Sequence, residues 1–329
     1  MHSCCLVIPY YGRWPVYFPL FLKGCEYNPD LTVLLVTDLD VPLRLPENVK
    51  VISYSMQQLR EKAENVLQTP VCLPSAQKLC DLKPMYGIIF EDELQGFDYW
   101  AHGDIDLLYG NLSPLMQELM TQEYDVISFD QKWLSGPFCL YRNRKEVNEL
   151  FRHSRDWGYV CASEKHLLFD EIGGNFYQEI IAGTPVTKLQ ASIEAMSQIV
   201  FRKAEAGELK FYHGKHIHEP YVNRDLCYFV SGELFSNRQP IFIHHFLFDK
   251  RRCCFQFPSW KTVPNEFYFD GYGFYTGTTI SYRPFFIFRS LILSPGKFIR
   301  KAIPSIRENG ISGFLRTGIR ILLRMLRKS

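Results

Sequence analysis

The sequence predicts an α/β fold: a mixed, mostly parallel sheet flanked by helices, followed by a basic amphipathic helical tail. Three observations predict it. β-rich and helical stretches alternate through the first half of the chain, as a parallel sheet covered on both faces requires. Gly12, Asp38 and Asp104 all fall at strand carboxyl ends, beyond which ligands on such sheets bind. Charge is unevenly divided: from Arg283 onward eleven Lys or Arg accompany one acid, Glu308, so that stretch carries +10 and residues 1–282 carry −8.

The elements follow in order. CLVIPYYG (5–12) reads as a buried strand ending in glycine. PVYFPLFLKGCE (15–26) has helical composition, with Pro19 expected to interrupt its turn. LTVLLVTD (31–38) and VKVISYS (49–55) are β-rich, and MQQLREKAENVL (56–67) has helical period. A loop with Pro70 and Pro74 leads to a helix expected over 82–94 from near Pro84. An aromatic strand follows from Phe97. SPLMQELMTQE (113–123) is a helix with serine as its cap, YDVISFD (124–130) and GPFCLYR (136–142) are strands, and NRKEVNELFRHS (143–154) is a helix. Another helix is expected within 188–208, and a β-like run over IFIHHFLFD (241–249).

The 329 residues are 47% hydrophobic and 15% aromatic, which supports a large core and excludes wholesale disorder. The ten cysteines form no CxxC pair, so no zinc ribbon is indicated, and free thiols in a reducing cytosol are the simplest reading. The opening MHSCCLVIPYYG reads as a strand at once, so no secretory signal is expected. No run reaches the roughly 18 apolar residues of a membrane span.

The stretch FDYWAHGDIDLLYGN (97–111) ends a buried strand on two carboxylates. In an extended segment Asp104 and Asp106 project to one side and Ile105 to the other. Two carboxylates at that spacing repel unless a cation lies between them, and oxygen ligands suit Mg²⁺ or Mn²⁺ completed by water and phosphate oxygens.

In this context the sequence resembles the GT-A glycosyltransferases, which use nucleotide-sugar donors. More narrowly it is similar to a little-characterised bacterial GT-A-like family found with surface-polysaccharide genes. The matching stretches are IPYYGRWPVYFPLFLKGCEYNPD (8–30), LLVTD (34–38), KLCDLKPMYGIIFEDEL (78–94), FDYWAHGDIDLLYGN, VISFD (126–130) and IHHF (243–246). The resemblance implies a GT-A-like domain over 1–282, with 283–329 as an extension. It makes Asp104 and Asp106 the site of the Mn²⁺ or Mg²⁺ on the donor diphosphate. Pro9 to Gly12 would border the base, with Tyr10 or Tyr11 stacking on it and Gly12 admitting close backbone approach. Asp38 would lie near the base or ribose, or cap a helix. Asp81 and Lys83 would lie near the ribose or diphosphate.

His244 or His245 would be the third metal ligand, and their alternation along an extended run lets only one serve. His213, His216 and His218 form another group; its His-x-His pair could bind a metal, but His216 and His218 are read rather as loop surface. Asp170 and Glu171, ahead of Gly173 and Gly174, are candidates for the base that an inverting transferase needs. Trp133, Ser135 and Gly136 are candidates for shaping the sugar pocket.

In the tail, Ile311, Leu315, Ile319, Leu322 and Leu326 follow helical spacing, and Arg316, Arg320, Arg324 and Arg327 occupy another face. That is the pattern of an interfacial helix attracted to anionic lipid. The expectation is a metal-dependent transferase at the cytoplasmic face of the inner membrane, moving a sugar from a nucleotide-diphosphate donor to a glycan or lipid-linked acceptor. Nucleic acid is not expected, since no recognition motif is present. Two alternatives stand beside it. A non-catalytic sugar-nucleotide binding or scaffold protein would keep the fold without the chemistry. An aspartate-based phosphohydrolase would use the pair covalently, but such enzymes carry it on the first strand, and Leu108 occupies the fourth position after Asp104.

Overall fold

The structure is a computed structural model that describes residues 2–221, 225–252, 255–260 and 262–276. The basic tail, 283–329, lies outside the described residues, as does the boundary expected at 282. Among the described residues no helix is long and apolar enough to cross a membrane.

A seven-stranded mixed sheet forms the centre. Its strands are β1 (Cys4–Pro9), β2 (Leu31–Thr37), β3 (Val49–Ser53), β4 (Tyr99–Gly103), β6 (Val126–Ser128), β7 (Phe138–Arg142) and β8 (Phe211–His213). The short β5 (Leu107–Tyr109) lies outside it. The order is β3-β2-β1-β4-β7-β6-β8. The first four strands are mutually parallel, β7 runs antiparallel to β4 and β6, and β8 is parallel to β6. The carboxyl ends of β1, β2 and β4 therefore share one edge.

Both faces of the sheet are covered. Cys5 and Val7 pack into one apolar cluster, and Cys4, Leu6 and Ile8 into another. Burial on both sides is why β1 reads as an unbroken apolar run. Helices α1 (Phe18–Glu26) and α4 (Ser113–Thr121) cover one face. The other is covered by α2 (Met56–Leu67), α3 (Tyr86–Ile89) and the helix Met196–Glu205.

Local chemistry explains most boundaries. α2 begins at a capping box, in which Ser55 Oγ accepts from Gln58 N and Gln58 Oε1 from Ser55 N. Pro19 does not interrupt α1. It sits in the first turn, where a missing N–H costs nothing. The same holds for α4, which is preceded by Leu112 rather than capped by Ser113, with Pro114 in its first turn. The helix expected over 82–94 differs more. A 3-10 helix, Ala76–Met85, carries Pro84 inside it, and only Tyr86–Ile89 is α-helical. A ring without an N–H is tolerated in a short, tight helix of poorer hydrogen bonding.

A second β region completes the molecule. β9 (Ile217–His218) and β13 (Ile243–His245) join β5 in a three-stranded sheet. β10 (Cys227–Val230), β11 (Glu233–Ser236), β12 (Gln239–Pro240), β14 (Glu266–Asp270) and β15 (Gly273–Tyr275) form a five-stranded sheet. An aromatic cluster including Phe229, Phe246, Phe267, Phe269 and Phe274 fills this region.

Candidate functional site

Asp104 and Asp106 follow the carboxyl end of β4. The strand stops at Gly103 and the chain bends at Ile105 and Asp106, so the segment is not extended as the sequence suggests. The carboxylates converge all the same, because Ile105 is anchored in the core beneath them. The Asp104 N–H donates to Pro137 O at 2.9 Å, which fixes the turn against the start of β7.

The third member comes from far along the chain. β13 pairs antiparallel with β5, bringing His245 opposite Leu107. The Phe246 N–H donates to Asp106 O at 3.0 Å. One ligand atom from each of Asp104, Asp106 and His245 lies within 4.8 Å of the others. His245 Nε2 is 3.3 Å from Asp106 Oδ2, and its Nδ1 contacts Glu219 Oε2. A carboxylate behind one ring nitrogen orients the other toward a metal. Burial opposes charge on His245, but Asp106 and Glu219 outweigh it and raise the ring to about 10. Burial likewise opposes charge on Asp106, while His245 and Lys250 hold its carboxyl well below the usual range.

Two lysines neutralise the pair. Lys250 Nζ contacts Asp106 Oδ2. Lys83 Nζ, almost fully buried, donates to Asp104 Oδ1 at 2.7 Å and Gly136 O at 2.8 Å, and lies 3.4 Å from Asp170 Oδ2. Burial disfavours its charge, yet Asp104 and Asp170 raise it well above the ordinary lysine value. It is a fixed cation.

Asp170 and Glu171 have different roles in this cluster. Asp170 is buried, and its Oδ1 has no hydrogen-bond partner among the described residues. Burial raises its pKa against the pull of Lys83. Glu171 is half-buried and accepts the Gly136 N–H at 3.2 Å. Burial, then the neighbouring Asp170, push its carboxyl well above the usual range. A Cβ on Gly136 would meet Glu171 Oε1 at 2.5 Å, so a larger residue here would displace the Glu171 carboxylate. Ser135 is buried, and its Oγ accepts from Phe138 N, whereas Trp133 packs in a small cluster with Ile172 and Ile180.

The remaining sequence candidates divide by depth. Tyr10 is half-buried and stacks on Trp14 at 5.2 Å, which stacks on Phe18 at 4.1 Å. Burial, then the charge of Asp106, raise its phenol. Tyr11 is buried in the core with Val7 and Val36 and offers no face for stacking. Gly12 is exposed at φ +106 with open space around it. Its backbone angle favours glycine. Asp38 is exposed just past β2, where no helix begins for it to cap.

Asp81 is fully buried. Its carboxylate accepts Leu167 N at 2.8 Å and Phe169 N at 3.0 Å and pairs with Lys78 Nζ at 2.8 Å. It holds the loop that presents Asp170 and has no surface for a ribose or diphosphate. His244 points away from the carboxylates, toward His218. His213 Nδ1 lies 2.8 Å from Gln131 O, and His216 pairs with Tyr212.

Lys250 and Glu219 are members of the site that the sequence reading does not name. The only signals for them are proximity: Lys250 follows His245 by five residues, and Glu219 adjoins His218.

A family model matches residues 6–271. The chain belongs to DUF6625, a family of unknown function. The match covers every residue of the site just described. No curated protein matches this DUF6625 chain. Among solved structures, galactosyltransferase LgtC in complex with donor and acceptor sugar analogues is similar over 66% of this chain and 76% of that one, with 11% identity and a TM-score of 0.35. Mouse xyloside xylosyltransferase 1 is similar over 68% of this chain and 87% of that one, with 12% identity and a TM-score of 0.32.

Proposed function

We propose that this DUF6625 protein is a metal-dependent glycosyltransferase that takes a nucleotide-diphosphate sugar as donor. The observation that carries the reading is the convergence of Asp104, Asp106 and His245 at the carboxyl edge of the sheet, flanked by Lys83 and Lys250. Two carboxylates and, once the metal displaces its proton, one imidazole fit Mn²⁺ or Mg²⁺. When bound, that ion stabilises the negative charge that develops on a departing diphosphate.

The chain's own groups do the rest. Lys250 and Lys83 supply fixed positive charge at the same edge. Tyr10, on its stack with Trp14 and Phe18, offers an aromatic surface for a planar base. Glu171 keeps some exposure, and its raised pKa suits a group that accepts a proton from an acceptor hydroxyl. Asp170 acts through Lys83, holding the ammonium between itself and Asp104.

The acceptor is proposed to be a glycan or a lipid-linked glycan of surface-polysaccharide synthesis. The basic composition of residues 283–329 would hold the protein on an anionic membrane surface.

The test is a thermal-shift screen of nucleotide sugars with and without Mn²⁺. Stabilisation by one donor only with metal, abolished in Asp106→Asn, supports the reading. Metal-independent stabilisation would assign a binding or scaffold role instead. Release of phosphate from simple phosphomonoesters would assign a hydrolase.

A further inference from the structure

His244 and His245 are adjacent in β13, so their rings fall on opposite faces. His245 turns to the carboxylates. His244 turns to a second cluster, between the three-stranded and five-stranded sheets, that the proposed transfer does not use.

Two cross-strand pairs meet there. His244 lies opposite His218 in the parallel β9–β13 pairing, and Cys227 lies opposite Ser236 in the antiparallel β10–β11 pairing. The Nδ1 atoms of His218 and His244 are 2.9 Å apart. The outer nitrogen of each ring already faces an oxygen. His244 Nε2 is 2.8 Å from Asp249 Oδ2, and His218 Nε2 is 3.3 Å from Ser236 Oγ. Asp249 is buried and accepts from Arg252 at 3.4 Å; a carboxylate at this nitrogen favours the His244 tautomer protonated on Nε2, which turns the Nδ1 lone pair toward His218. Two ring nitrogens held this close need a shared proton or a cation between them.

The third group distinguishes these. Cys227 is buried, and its Sγ and one nitrogen of each ring lie within 4.8 Å of one another. A proton shared by two imidazoles has no need of a thiol. A tetrahedral zinc ion does: with bonds of about 2.0 Å to nitrogen and 2.3 Å to sulfur, its ligand atoms stand roughly 3.3–3.6 Å apart, so the two Nδ1 atoms, 2.9 Å apart, would part slightly to admit it. The carboxylate behind His244 is the outer-shell partner that a ligating histidine carries. Phe246 and Phe269 rings, each 4.8 Å from the His244 ring, give the cluster an apolar wall.

We propose that His218 Nδ1, His244 Nδ1 and Cys227 Sγ form a second metal site, which takes zinc or another cation of the same borderline-soft class and ties β9 and β13 to β10. Binding releases the thiol proton to solvent, the proton between the rings moves to His218 Nε2, where Ser236 Oγ accepts it, and a water completes the tetrahedron. The site is structural. It braces the strand that presents His245 on its other face. It is chemically distinct from the oxygen-rich carboxylate site, so the two sort their metals by ligand softness.

The experiment uses the full chain without a polyhistidine tag, equilibrated against buffered zinc and analysed for bound metal. About one zinc per chain is expected, retained in Asp106→Asn and lost in Cys227→Ser and in His218→Gln. Cobalt substitution of the wild-type protein should give a thiolate-to-cobalt charge-transfer band, and this reading needs no variant to fold. A wild-type chain that binds no zinc, a cobalt form without the thiolate band, zinc retained in Cys227→Ser, or zinc lost in Asp106→Asn would each overturn the proposal. No step reads activity, so failure of the transferase assignment leaves the result intact.

Discussion

The two faces of β13 carry two histidine clusters with opposite physical character. On one, His245 meets two carboxylates, and two lysines crowd the same groups. Asp104 remains about a third exposed there, open to a ligand. On the other, His244 meets a second imidazole and a thiol against phenylalanine rings, with both His244 and Cys227 fully buried. The first is hard, charged and accessible, as suits the exchange of a phosphorylated substrate. The second is softer, drier and closed. One dipeptide serves both because strand alternation separates adjacent side chains to opposite faces.

The largest effect that would sharpen this contrast is on the carboxylate side. Asp106→Asn should lower the rate of sugar transfer or donor hydrolysis roughly 10²-fold or more, several kcal/mol of barrier, while zinc content stays unchanged. Equal loss of zinc and activity would break the separation of the two clusters.

The proton-accepting role proposed for Glu171 comes next. Glu171→Gln should reduce the rate by about 10²-fold, and in the wild type activity should rise with pH to a point above the ordinary carboxylate range, because Glu171 must be ionised to act. The sign for stability is opposite. The folded state holds this proton more tightly than the unfolded chain, so stability should fall as pH rises from the ordinary carboxylate value to the shifted one. Rate against pH and melting temperature against pH test the two limbs, and a pH–rate profile that Glu171→Gln leaves in place would remove it from the chemistry.

Outer-shell carboxylates should give matched, site-specific losses. Glu219→Gln should weaken Mn²⁺ binding about 10- to 100-fold, and Asp249→Asn should do the same for zinc, with little crossover. Isothermal titration with each metal reads both. The smallest expected effect is Gly136→Ala. Its Cβ would press on Glu171, costing about 1–3 kcal/mol in a urea melt without altering either metal affinity.

How much of this was legible beforehand depended on the range of the interactions. The β1, β2 and β4 runs were readable because burial on both faces writes an apolar signal into consecutive residues. The start of α2 was readable from its own capping residues. Pro19 misled because a proline at a first turn and one in a helix interior look alike until the boundary is known. Lys83 and Asp81 sit two residues apart and read as one motif. One reaches the carboxylates and the other is enclosed, which depends on how the 3-10 turns of Ala76–Met85 orient them. Lys250 and Glu219 carried no motif of their own, since each contacts a partner more than twenty residues distant.

By itself, then, the sequence determined the alternating α/β architecture, the burial of the central strands and the presence of two carboxylates at a strand's end. Each is encoded in neighbouring residues, through side-chain period, capping and composition. Only the tertiary structure decided which histidine meets those carboxylates, which lysines neutralise them and which thiol faces the second imidazole. Those choices follow from the pairing of β13 with β5 and β9 and from its packing against β10, and the register between strands distant in sequence is written in no single stretch of the chain.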